Sequence, residues 1–289
     1  MKKSLIELHI AILLAACSGI FGNLIALNAV LITGYRMAIS AVILCLLCVI
    51  LKQGVRLFTP KSVKTMVSGA LLAVHWIFFY ASIKYSNVSV GVVCFTLSGF
   101  FTALLAPIIN RRKFQFAEIA LSSLTLVGIY MIFSFDDAFK LGIMLGAVSS
   151  LLFALYACLN ERINMSGEVV PTTFKQMLGG TVAVMLILPL ISPVIGIKVF
   201  LPTLTDATYL LMLAAGSTVA MCILLNEAQK KVNAFTVSLS FNFEPIYSIF
   251  LAVLLFHEDK TFTRSFYIGI SFIVLSLALQ MLRMKNRHC

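Results

Sequence analysis

The sequence predicts an all-α integral membrane protein: ten transmembrane helices, arranged as two inverted five-helix repeats around a central cavity. Three features carry that expectation: the composition, a ladder of apolar stretches, and a one-sided distribution of basic residues. The chain of 289 residues is 61% hydrophobic and only 11% charged, with a mean hydropathy of +1.03. A water-soluble domain carries roughly 25% charged residues, so there is too little charge here to cover a water-facing surface. A cytosolic enzyme, a nucleic-acid-binding domain and a disordered tail are excluded together. The net charge of +11 then belongs on cytoplasmic loops, not against a nucleic acid.

A spanning helix needs about 20 mostly apolar residues. Such stretches run over 9–27, 30–51, 65–83, 88–109, 117–135, 141–160, 172–196, 207–226, 232–256 and 265–282. The loops between them are short and leave no room for a soluble domain. Runs this continuous are not the alternating strands of a membrane β-barrel. The basic residues test the count independently. With the N-terminus in the cytoplasm and sides alternating, only Lys84, Lys140, Lys198, Lys260 and Arg264 fall outside; Arg36 lies within a span, and Lys175 close to the cytoplasmic edge of its own. With Lys175 counted there, 16 of the 22 lie on the cytoplasmic side. One missed helix would scramble every later loop, so the asymmetry supports both the count and the orientation. The expected location is the cytoplasmic (inner) membrane, with both termini in the cytoplasm. The start, Met1-Lys2-Lys3 with Leu14-Ala15-Ala16-Cys17, resembles a lipoprotein signal. Glu7 and His9 shorten its apolar core and the apolar segment runs on past Cys17, so the first helix is expected to be retained.

The two halves look like copies. A shift of 132 aligns Ser18 with Ser150, Phe21 with Phe153 and Asn28 with Asn160. A shift of 146 aligns Asn87 with Asn233, Phe95 with Phe241 and Leu105 with Leu251. An intermediate shift of 139 sets Arg36 opposite Lys175. The repeats are placed at 1–137 and 138–289. Each has five spans, an odd number, so the second copy is upside down in the membrane. Inverted repeats are the architecture by which secondary transporters expose a midplane site to each side in turn.

The ninth span reads Phe241-Asn242-Phe243-Glu244-Pro245-Ile246 and closes with Leu254-Leu255-Phe256-His257-Glu258. In this the chain resembles the ten-helix drug/metabolite transporter superfamily, most closely its EamA-type transporters. Gly269 and Arg36 also stand where that family tends to place a glycine and an arginine. The first repeat departs from the pattern, with Gly99 where a proline is common and Arg112 where the closing acid would be. The resemblance implies a carrier of small metabolites, often an exporter and commonly driven by the proton gradient.

Charge at the bilayer centre costs at least about 2.5–3.5 kcal/mol, so each intramembrane ionisable group needs a reason. Glu244 lies near the midplane beside the helix-breaking Pro245. It either binds a cationic group of the cargo or carries a coupling proton, or it is a protonated bond between helices. Arg36 faces the cavity or snorkels to the interface; Lys175 has the same two readings, with snorkelling favoured. His75 and Trp76, in the middle of the third span, form an aromatic wall and proton relay or a satisfied helix contact. Asn23 and Asn242, with Gln176 and Asn226, are further candidates to line the cavity. Gly19, Gly22, Gly179 and Gly180 fit close helix approach.

Six of the seven cysteines lie within spans as small apolar residues, and the pair Cys45 and Cys48 has no second pair to complete a metal site. No phosphate loop, zinc-protease helix or nucleophile elbow is present, so neither cofactor nor metal is expected and the chain is not expected to be an enzyme. The expected function is a secondary active transporter, working as an exporter, of a small polar metabolite such as an amino acid. The expected partners are that solute, the lipid bilayer and a coupling proton; the oligomeric state stays open. One alternative is a nucleotide-sugar or lipid-headgroup transporter, which would call for more cavity cations. Another is a membrane-embedded enzyme on lipid-linked substrates. Its only adjacent acid pairs would be Asp136-Asp137 and Glu258-Asp259, both at outer helix ends.

Overall fold

Five helices start where the sequence supplies a side-chain oxygen to cap them. The computed structural model describes residues 2–133, 139–164, 168–197, 201–257 and 264–287. The acid pairs Asp136-Asp137 and Glu258-Asp259, with Lys198 and Lys260, lie outside them. Helix α1 is Lys2–Leu24 and α2 is Ala29–Ile50, the latter capped by Asn28, whose side chain accepts from Leu31 N. Helix α3, Pro60–Tyr85, is capped by Thr59 with Pro60 in its first turn, where a missing N–H costs nothing. Asn87 caps α4 (Val88–Phe95), which is followed by α5 (Leu97–Ile109) and α6 (Phe116–Phe133). Helices α7 (Lys140–Asn164) and α8 (Val169–Ile195) follow. Thr203 and Asp206 form a reciprocal capping box on α9, Leu204–Ala214. Then come α10 (Met221–Gln229), α11 (Ala234–Ser240, capped by Asn233), α12 (Glu244–Phe256) and α13 (Arg264–Arg287).

Among the described residues no strand is present, and eight helical segments are long and apolar enough to cross a membrane. Two shorter apolar helices, Phe116–Met131 and Tyr267–Ser276, correspond to the fifth and tenth expected spans. They pack on each other at one flank, α6 against α13.

Three of the expected continuous helices are interrupted. The 88–109 stretch breaks at Thr96, where both the backbone N–H and the hydroxyl bond to Val93 O, at 3.1 and 2.7 Å, and tighten the turn. The 232–256 stretch passes through a 3₁₀ turn at Phe241–Phe243. Pro245 has no N–H to give to the carbonyl four residues back, so the α-helical ladder cannot run through. The 207–226 stretch widens into a π-helical segment over Ala215–Ala220. Under the 146 shift Thr96 corresponds to Asn242, so the two breaks fall at equivalent places, as do the caps Asn87 and Asn233.

Loops expected on one side of a membrane meet at one end of the bundle. Lys84 Nζ donates to Ile25 O at 2.5 Å and Ala26 N donates to Asp206 Oδ1 at 2.8 Å. At the other end Arg112 pairs with Glu161, which also accepts from Ala234 N at 3.0 Å. The C-terminal ends of α1 and α7 therefore lie at opposite ends of the bundle.

Helices α3 and α8 cross closely enough that backbone fills the space of a side chain. A Cβ on Gly69 would sit 1.9 Å from Gln176 O, and one on Gly179 would sit 2.2 Å from Met66 O. Gly179→Ala should therefore lower stability by about 1–3 kcal/mol, the usual cost of overpacking. Gly54→Ala, with nothing within 4 Å, serves as the control, and thermal unfolding of both detergent-purified variants reads the difference.

Candidate functional site

The centre of the bundle holds a guanidinium taken entirely out of solvent. Arg36, on α2, has no exposed surface. Its Nε donates to Thr218 Oγ1 at 2.6 Å and Nη2 to Ser217 O at 2.5 Å. Its Nη1 donates to Ser18 Oγ at 2.9 Å and to Tyr80 Oη at 2.6 Å. The flat face lies over the Trp76 ring, 3.5 Å from its centroid, the cation–π geometry that compensates a desolvated charge. Two of these acceptors come from the π-helical segment. Its widened turn also lets the Thr218 hydroxyl donate to Leu213 O at 2.9 Å, which turns a lone pair toward Arg36. One turn along α2, Ser40 donates to Ala214 O at 3.3 Å, so α2 grips this segment twice.

His75 and Trp76 are neighbours on α3 and point to different partners. The His75 Nδ1 lies 2.9 Å from Ser149 O and 2.8 Å from Ser149 Oγ on α7. A carbonyl can only accept, so Nδ1 is the donor in that contact. Around it stand Phe79, Phe95 and Phe153, with centroids 6.1, 5.3 and 5.2 Å from the imidazole. Phe95 and Phe241, each beside a helix break, meet edge to face at 5.8 Å.

Glu244 is the first residue of α12 and is only 3% exposed. Its carboxyl sits where the helix N-terminus favours negative charge. Among the described residues no hydrogen bond or ion pair reaches it. Glu244, Arg36, His75, Trp76, Tyr156, Met221 and the phenylalanine rings line one central cavity. Its volume is about 30 Å³, room for roughly two waters.

The other candidates lie elsewhere. Asn242 is buried in the 3₁₀ turn, and its amide faces Gly99 on α5 rather than the cavity wall. Asn23 is at the end of α1, where its backbone carbonyl accepts from Lys84 Nζ at 3.3 Å. Lys175 is half-buried near Cys48, away from the cavity. Gln176 and Asn226 belong to an amide network with Asn160, Gln229, Thr173 and Ser68. In it Gln176 Nε2 donates to Asn160 Oδ1 at 2.5 Å and Asn226 Nδ2 to Thr173 Oγ1 at 2.8 Å. Beyond it Glu161, 5% exposed, accepts from Asn110 Nδ2 at 2.7 Å, from Arg112 and from the first N–H of α11. Glu161 therefore ties α7 to both broken spans.

Sequence reasoning missed Ser18, Tyr80, Ser217 and Thr218. The signal was present: a buried Arg needs several acceptors, and Gly216-Ser217-Thr218 is a polar interruption in an apolar span. It also missed Glu161, although Arg112 stands in an acid's place.

Two broken spans meeting at a central cavity, in a chain of repeated halves, can be set beside known proteins. The model of the EamA-like transporter family matches residues 3–134 and again residues 140–282. The chain belongs to the EamA-like transporter family. It is thus a transporter of the drug/metabolite superfamily, built on that family's two-repeat architecture. Among solved structures, a crystal structure of a protein superimposes with a TM-score of 0.72 at 17% identity, over 100% of both chains. At that identity the likeness is one of fold. No curated protein matches the chain.

In this EamA-like transporter, Thr218→Val should destabilise by about 1.5–3 kcal/mol, since it leaves a guanidinium N–H without its acceptor. Thr218→Ser should stay close to the parent. Thermal melts of the two variants, made side by side, test whether the hydroxyl or only the side-chain volume matters.

Proposed function

We propose that this protein is a secondary active transporter that exports a small polar metabolite, such as an amino acid or related organic cation or acid, by alternating access. It sits in the cytoplasmic membrane with both termini in the cytoplasm. Its two five-helix repeats are inverted copies, and the two shorter helices complete ten spans. The observation that carries this reading is the pair of breaks at repeat-equivalent positions, which brings Glu244, Phe95 and Phe241 to one central cavity. Discontinuous helices at the midplane are how transporters build a polar site inside hydrocarbon.

In this reading Glu244 takes either a coupling proton or the cationic group of the cargo, and His75 stands within the same walls. Asn110, Arg112, Glu161 and Ala234 form the closure on the cytoplasmic side, with the amide network between them and the cavity. Rocking the repeats breaks the Glu161 contacts and opens that side. A nucleotide-sugar cargo has less support, because Arg36 is the only cation lining the cavity among the described residues.

Glu244→Gln keeps the shape and removes the ionisable group. It should fold, abolish transport driven by a pH gradient, and spare solute exchange in proteoliposomes. Gradient-driven accumulation at the parent's level would remove Glu244 from coupling. The closure has its own test in Cys222, which lines the cavity. With the other six cysteines replaced, Glu161→Ala should raise the rate at which a maleimide labels Cys222 severalfold from the cytoplasmic side. An unchanged rate would mean that Glu161 does not close that side.

A further inference from the structure

Resting on the transporter reading, we propose that the cargo is an amine with an apolar or aromatic body and no carboxylate: a cation rather than a zwitterion or an anion. What separates these classes is which cavity charge is already engaged. A guanidinium has five N–H groups and recognises a carboxylate through two of them side by side. In Arg36, Nε is held by Thr218, both Nη1 hydrogens by Ser18 and Tyr80, and one Nη2 hydrogen by Ser217 O. One N–H remains, and Trp76 covers a face of the group. No parallel pair is left to offer. A cargo carboxylate would have to displace buried hydrogen bonds made to a charge.

The opposite holds for Glu244. Its carboxyl lines the same cavity with Arg36 as an electrostatic neighbour but, among the described residues, with no hydrogen-bond donor of its own. An ammonium brings three donors to it. Much of the remaining wall is Phe79, Phe95, Phe153, Phe241 and Met221, with the Tyr156 hydroxyl as a single polar group among them, suited to an apolar body and able to face a cation with ring electrons. Arg36 is then a fixed part of the scaffold, and Glu244 selects by charge.

Three compounds with one phenylethyl body separate the possibilities: phenethylamine, phenylalanine and 3-phenylpropionate. Each is titrated against the purified protein with the melting temperature as readout, then tried as the counterflow solute in proteoliposomes. The expected result is binding of phenethylamine at least about tenfold tighter than phenylalanine, a preference worth about 1.4 kcal/mol, with no effect of 3-phenylpropionate. Glu244→Asp should keep the order and Glu244→Gln should erase it. Because the parent protein's series alone discriminates the three cargo classes, a variant that fails to fold does not blunt the test. Equal or tighter binding of phenylalanine overturns the amine assignment and leaves the transporter reading standing. So does silence from all three compounds while another metabolite exchanges. If no solute of any class exchanges, the transporter reading falls as well.

Discussion

A permanently charged guanidinium in the dry centre of a membrane protein constrains everything around it. Arginine keeps its proton, so burial must be compensated by geometry. Three elements contribute: α1 through Ser18, α3 through Trp76 and Tyr80, and the π-helical segment through Ser217 and Thr218, all converging on α2. The π segment is the telling one. A regular helix commits its carbonyls to its own ladder, whereas a widened turn leaves room for an outside donor. The acceptors in the eighth span thus exist because the helix there is imperfect, and Arg36 is what makes that imperfection stable.

The two breaks at Thr96 and Phe241–Phe243 follow the same logic with different chemistry. One is tightened by a threonine hydroxyl, the other imposed by a proline one residue beyond a carboxylate. Both turn a phenylalanine ring toward the cavity, where the rings of Phe95, Phe153 and Phe241 pack edge to face along its wall. Behind them the amide network of Asn160, Gln176 and Asn226 keeps the helices in register with side-chain bonds.

Much of the fold was legible because a bilayer imposes length. Apolar runs of about 20 residues and loops that alternate in charge left little freedom, and helix ends at Asn28, Asn87 and Asn233 carry ordinary caps. The site was legible only in part. Arg36, Glu244, His75 and Trp76 stood out because polar or bulky groups inside a span are rare. Their partners did not, because Ser18 and Thr218 are unremarkable in transmembrane helices, and which carbonyl a π turn exposes has no composition signal. Asn23 stands one residue before the end of α1 at Leu24, a depth along the helix that composition alone does not give. The snorkelling alternative for Arg36 failed because sequence position gives depth along a helix but not the face it presents.

The repeat-related positions differ in two ways. Glu244 corresponds to the uncharged Ser98 under the 146 shift, and Arg36 to a second cation, Lys175, under the 139 shift. Ser98 is fully buried and Lys175 is half-buried away from the cavity. One half thus supplies the central acid and the other the central cation. The halves of this protein are therefore no longer exchangeable, and a chain built from either half twice over would lack one of its two central charges.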